Sequence, residues 1–208
     1  MSESNIIELE HLRNGIGCLD VDHCSATCRA AQIALTEAGH PVSVICEVED
    51  QEKPLFTLVL QWTELEKLST IRSWRQRQRL GEWAAEGIAF LMVDKFTPFT
   101  VVDQSEVDTR PGRGTGIDYY LGTKESLDCE DEDDFPQHLA RLEVSGILPP
   151  SSSSIFKARV KKKIKQTKQS DSDGTPAFII VVEFETPLVN FTQRMPENDS
   201  KTASQEER

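Results

Sequence analysis

Residues 139–146 read "LARLEVSG" and residues 114–121 read "GTGIDYYL". Each is an apolar, strand-like run that carries one acidic side chain, Glu143 in the first and Asp118 in the second. If the two strands are neighbours, both carboxylates issue from one edge or face of a sheet. Two carboxylates close together in apolar surroundings repel each other, and a shared proton or a cation must offset that cost. Oxygen-only ligands favour a hard ion such as Mg²⁺ or Mn²⁺. Such an ion polarises a phosphodiester and generates an attacking hydroxide.

Outward from these runs the chain alternates between helix and strand patterns. Residues 78–94 give the strongest helical signal: Leu80, Trp83, Ala84, Gly87, Ile88, Leu91 and Met92 recur at three- and four-residue intervals. Glu82 and Glu86 lie four apart beside that stripe and share a face. The polar stretch 63–76 reads as helical, and "RSWRQRQR" brings several arginines. A strand follows near 98–103, and "RPGRG" is a turn. After Glu143, "PPSSSS" approaches a helix over 154–168, with a serine at 153 or 154 as its cap and Phe156, Val160 and Ile164 facing inward. "SDSDGTP" is a turn, and "AFIIVVEFETP" (177–187) reads as a buried, central strand. The order from 78 is helix, three strands, helix, strand. A crossover through a helix allows 179–184 to lie parallel beside an earlier strand.

The first 62 residues suggest a helix plus a hairpin. Residues 1–20 read equally as a short helix or as a strand with a glycine break. Residues 22–38 are helical, with Gly39 as the stop. "VSVICEV" (42–48) and "LFTLVLQW" (55–62) are strands joined by the turn "EDQEK". The expected organisation is therefore an N-terminal unit over 1–62, an α/β core over 63–195 and a polar, disordered tail over 196–208.

The element order, the aspartate on the second core strand and the glutamate on the third resemble the PD-(D/E)xK nuclease superfamily. The resemblance covers about half of the chain and rests on element order more than on a motif. It implies an α/β (α+β) mixed sheet with a restriction-endonuclease-like αβββαβ core, here extended by an N-terminal helix and hairpin. It also implies Mg²⁺ or Mn²⁺ held by Asp118 and Glu143, and an acid on the first helix, Glu82 or preferably Glu86. The family's lysine, two residues after the glutamate, is replaced by Ser145, and Ile117 stands where a proline precedes the aspartate. Lys157 or Lys161 from the following helix is the expected substitute, with Arg141 as a further cation. Without such a cation the fold would serve as a non-catalytic interaction or scaffold module. The phrase "GTGIDYYLG…ARLEVSGI" also resembles uncharacterised bacterial proteins of similar size, which implies no function.

The net charge of -12 excludes an indiscriminate nucleic-acid binder. The charge is nonetheless divided along the chain. Residues 128–134, "DCEDEDD", carry six acids, whereas 156–168, "FKARVKKKIKQTK", carry seven bases and no acid. Arg141, Lys157, Arg159, Lys161, Lys162 and Lys165 are the candidate contacts to a DNA or RNA backbone. The serine-rich approach at 151–154 adds helix N-terminal amides. The acidic loop 128–134 offers a surface to a protein partner, or docks on the basic helix. Plainer readings stand beside these: Asp118 capping the "GTG" turn or pairing with Arg141, Glu143 and Glu86 facing solvent, and a basic helix face that is merely solvated. Of Tyr119 and Tyr120, alternation sends one into the core. No Walker spacing is present, and His11, His23, His40 and His138 have no partners close in sequence. Five cysteines without tight pairing read as small, buried, reduced thiols. With no apolar leader and no apolar run of membrane-spanning length, the expected location is cytoplasmic, with no membrane partner.

Overall fold

The computed structural model describes residues 5–64, 77–105, 117–125 and 137–197. The acidic loop 128–134, most of the arginine-bearing stretch 63–76, the "RPGRG" turn, Cys129 and the tail beyond 197 lie outside the described residues.

The opening segment resolves its two readings by adopting both. Strand β1 (Ile6–Glu8) runs straight into a 3-10 helix (Leu9–Asn14), whose Leu9 and Leu12 are fully buried. Helix α1 (Val21–Glu37) begins where the Asp20 carboxylate accepts the Asp22 amide at 2.6 Å. It ends with Gly39 at a φ of +85°, the left-handed stop that glycine adopts without strain. Strands β2 (Ser43–Asp50) and β3 (Lys53–Gln61) form the expected hairpin.

Helix α2 (Arg77–Phe96) is followed by β4 (Phe99–Gln104), β5 (Tyr119–Thr123), β6 (Ala140–Ile147), α3 (Ser153–Thr167), a 3-10 turn (Lys168–Asp173), β7 (Ala177–Glu183) and β8 (Leu188–Arg194). The eight strands form one mixed sheet in the order β1-β3-β2-β8-β7-β6-β5-β4. β4, β5 and β6 are antiparallel, and β7 lies parallel to β6, joined through α3. The hairpin of the first 62 residues is therefore continuous with the core sheet, through the parallel β2–β8 pair.

The expected single strand over 177–187 is in fact a strand and a turn. β7 stops at Glu183, whose buried carboxylate accepts the Glu185 and Thr186 amides at 2.8 and 2.9 Å. That turn returns the chain into β8, a strand the sequence reading did not anticipate.

Alternation splits the core into two layers. Leu142, Val144, Phe178, Ile180 and Val182 pack with α1 and α2 on one face. Ile147, Ala177, Ile179 and Val181 pack with Phe156 and Val160 of α3 on the other. Helix α2 crosses β6 almost backbone to backbone: a Cβ on Gly146 would lie 1.9 Å from the Gly81 carbonyl oxygen. Gly146 is required by this contact, whereas a Cβ on Gly81 would press only on the Leu148 side chain, at 3.2 Å. Among the described residues no helix is long and apolar enough to cross a membrane.

Candidate functional site

The site forms where β5 and β6 part company. Asp118 sits just before β5, and its backbone still belongs to the ladder. Its amide donates to the Leu142 carbonyl, and its carbonyl accepts from Ser105, both at 2.9 Å. One step further along β6, the Val144 amide points toward β5 and receives the Asp118 carboxylate instead, at 2.7 Å from Oδ2. The aspartate side chain thus satisfies the first amide that the diverging strand leaves open.

The other side of the site is set by a match of repeats between α3 and β6. Four residues of helix rise about 6 Å, nearly the length of two residues of strand. Contacts accordingly pair off along the two elements. Arg159 donates to the Ser145 hydroxyl at 2.6 Å, Lys163 forms an ion pair with Glu143, and the Thr167 carbonyl accepts from Arg141 at 3.4 Å. Glu143 is 2% exposed.

From the α2 side comes Glu86, largely buried, with one carboxylate oxygen lacking any hydrogen-bond partner. Tyr119 and His23 stand beside it: the Tyr119 hydroxyl lies 3.3 Å from His23 Nε2, and that nitrogen lies 3.8 Å from the Glu86 carboxylate.

Electrostatics follow from this burial. Desolvation pushes the Glu86 carboxyl up to about 7, with help from the charge of Asp118 and against the hydrogen bond from Tyr119. Burial also raises Asp118, while Lys163 and the Val144 amide pull it down. Glu143 is raised by burial first and by the Asp118 carboxylate second, and Lys163 opposes both. Asp118 and Glu143 therefore behave as one pair that readily shares a proton. Burial lowers the His23 imidazole and raises the Tyr119 hydroxyl, so both stay neutral near pH 7.

Together these groups open into a cleft of about 400 Å³. Glu82 and Glu86 line its α2 wall, and Arg159, Lys162 and Lys163 line its α3 wall, with Asp118 and Val144 between.

Of the three acids expected from sequence, Asp118 lies within electrostatic reach of Glu86 and of Glu143, but only Glu86 and Asp118 line the cleft, and Glu143 is buried against Lys163. The structure does not bring Lys157 or Lys161 to them. Both lie on the opposite flank of α3, in a smaller cavity of about 150 Å³ against the β2–β3 turn, where Lys157 pairs with Glu52 at 2.9 Å. The cation at the carboxylates is Lys163, which the sequence reading passed over. Its signal was present: four residues after Arg159 and four before Thr167, it falls next to the inward Phe156 and Val160. Arg141 is also reassigned. It is 1% exposed and donates to the Ser170 and Thr175 carbonyls and to Asp171, so no phosphate can reach it. Arg159 and Lys162 line the cleft, whereas Lys165 is exposed and lines neither cavity. His23, left without a role by sequence, reaches Glu86 only through the packing of α1 on α2. Tyr119 fills the core against Phe90, and Tyr120 stacks on His138 at 4.0 Å between ring centroids.

For a metal ion the donors are of the right kind. The second oxygen of Glu143 is buried without a hydrogen-bond partner, next to the Asp118 carboxylate. Among the described residues no group of three or more His, Cys, Asp or Glu side chains gathers closely enough to hold an ion. Two carboxylates supply oxygen donors of the kind a hard cation such as Mg²⁺ takes, fewer than its full shell.

In sequence comparisons the chain matches no known family and no curated protein.

Proposed function

We propose that the chain is a divergent metal-dependent nuclease-like protein that acts on nucleic-acid phosphodiesters, DNA or RNA. The observation that carries this reading is the cleft that Glu86, Asp118 and Lys163 line together, with the buried Glu143 paired to Lys163 and an α3 wall that is basic. The run α2, β4, β5, β6, α3, β7 supports a restriction-endonuclease-like core, with Lys163 standing in for the lysine that Ser145 replaces.

In this reading Asp118 and Glu143 hold Mg²⁺ or Mn²⁺, which supplies Lewis-acid polarisation and an activated water when bound. Lys163 balances the charge of the carboxylate pair and of the incoming phosphate. Glu86, protonated near neutrality, takes or gives a proton at its unpartnered oxygen. Cys18, Cys24, Cys28 and Cys46 are unpaired thiols, which suits a reducing, cytoplasmic setting.

The test is cleavage of single- and double-stranded DNA and RNA with Mg²⁺ and with Mn²⁺, alongside Asp118→Ala and Glu143→Gln. Metal-dependent cutting that falls at least about a hundredfold in both variants is the expected result. Chelation by EDTA should abolish it. A second reading, an interaction scaffold on the same fold, is favoured by Ser145, which spends its hydroxyl on Arg159. The acidic loop 128–134 would then be a partner surface. Absence of cutting by the unaltered, folded chain with every metal and substrate would replace the first reading with the second.

A further inference from the structure

The carboxylate cleft does not end at the carboxylates. A second cavity of about 440 Å³ adjoins it and shares Gln78, Glu82 and Arg159 with it, so the two form one continuous groove. Helix α2 walls one side and α3 the other. The floor between them runs along β6 from Val144 to Gly146, and at Gly146 it is bare backbone, because the Gly81 backbone leaves no room there for a side chain. The groove then passes Leu148, Pro149 and Pro150 and ends at Arg77, whose guanidinium donates to the Pro149 carbonyl at 2.9 Å.

Four cations mark this path in order: Lys163 and Lys162 beside the carboxylates, Arg159 where the cavities join, and Arg77 at the far end. Arg159 and Lys163 are about 6 Å apart by helical rise, the scale of one nucleotide step in an extended strand. The α2 wall carries Glu82 and Glu86, so a polyanion is held against α3 and away from α2. Among the described lining residues none is aromatic, so those residues offer a strand charge and hydrogen bonds and no stacking face.

We propose that this groove is a track for a single-stranded polynucleotide. The strand is gripped by its phosphates, without reading of its bases, and extends from the carboxylates toward Arg77. The inference rests on the nuclease reading and supplies its substrate class. A single strand fits because Glu86 and Asp118 line a groove walled by α2 on one side and α3 on the other. A phosphate can descend to them on one strand, whereas the paired strand of a duplex would meet a helix.

The experiment is fluorescence anisotropy on the full chain in Ca²⁺, with a labelled single-stranded DNA dodecamer, its RNA counterpart, a dinucleotide and the DNA duplex. The single-stranded dodecamers should bind at least about tenfold more tightly than the duplex or the dinucleotide. Homopolymers of different base should bind alike. Lys162→Ala, a change at an exposed side chain, and Arg77→Ala should each lower the slope of log affinity against log salt by about 0.7. Lys161→Ala, on the other flank of α3, should leave it unchanged. DNA and RNA arms that agree point to phosphate recognition alone, and a preference for one would overturn the backbone-only reading. Tighter binding of the duplex, or equal binding of the dinucleotide, would overturn the track while leaving cleavage intact. Failure of every probe to bind, together with absence of cleavage, would remove both proposals.

Discussion

At the scale of single residues, the site is a set of charges held where water is scarce. Lys163 and Glu143 pair in a place where either alone would be costly. Lys163→Met should therefore lower stability by about 2 kcal/mol at alkaline pH. The loss should shrink below neutrality, because the stranded Glu143 carboxyl then takes up a proton. Urea titrations at the two extremes would check this. Glu86 makes a separate contribution. Its carboxyl lies near 7 in the fold against 4.5 when free, so folding binds a proton between those values. Stability should rise as pH falls through that window, with at most about 3 kcal/mol of the rise from Glu86, and the rise should be smaller in Glu86→Gln, where the buried Asp118 and Glu143 pair still takes up protons. Asp171 works in the opposite sense and elsewhere: its bond to Arg194 holds it down at about 2, and the stability it lends is lost as pH falls from 3.8 toward that value. The two effects therefore occupy different stretches of one pH–stability curve. Metal binding at Asp118 and Glu143 should release protons and tighten as pH rises, which calorimetry in two buffers would register.

At the scale of elements, the legible features were those with a strong period. The apolar stripe of α2, the alternation of β2 and β3 and the unbroken apolar run of β7 were all readable from residue order. Which lysine of α3 meets the carboxylates was not, because that depends on how the helix is rotated about its axis over β6. The choice between Lys161 and Lys163 is a rotation by two residues. The apolar residues alone fix it loosely: Phe156 and Val160 are buried, whereas Ile164 is only half-buried. The polar repeat of Arg159, Lys163 and Thr167 against Ser145, Glu143 and Arg141 completes the specification. β8 escaped notice because "PLVNFTQR" begins at a proline and places Asn190 and Thr192 in buried positions. Their polarity is satisfied by each other and across the sheet, where Thr192 donates to Asp50 at 2.6 Å and Asn190 accepts the Gln51 amide at 3.1 Å. The contact between α2 and β6 gives a prediction at this scale. Gly146→Ala forces a methyl group toward the Gly81 carbonyl oxygen and should cost about 1–3 kcal/mol by separating the elements that carry Glu86 and Glu143. Chemical denaturation would measure the cost, and cleavage should fall with it.

At the scale of the whole molecule, the hairpin of the first 62 residues and the later strands share one sheet. β8 supplies the join, with Val189 opposite Val48 of β2 on one side and Val182 of β7 on the other. Asn190→Ala removes the side-chain ties of that join and should cost about 2 kcal/mol without splitting the unfolding transition. Tryptophan fluorescence and far-ultraviolet circular dichroism should continue to report one midpoint. Two midpoints would show that the hairpin unit and the core melt apart. The sequence carries the two flanks of the sheet legibly but hides their union, because the joining strand is short, partly polar and last among the strands. That position has a consequence for biosynthesis. The ribosome delivers β2, β7 and everything between them before the strand that fits in the gap. Until residues 188–194 clear the exit tunnel, the nascent chain carries two open sheet edges facing each other, with Val48 and Val182 bare. Chaperones that recognise such edges should engage a chain stalled before residue 188 and release one stalled well beyond it.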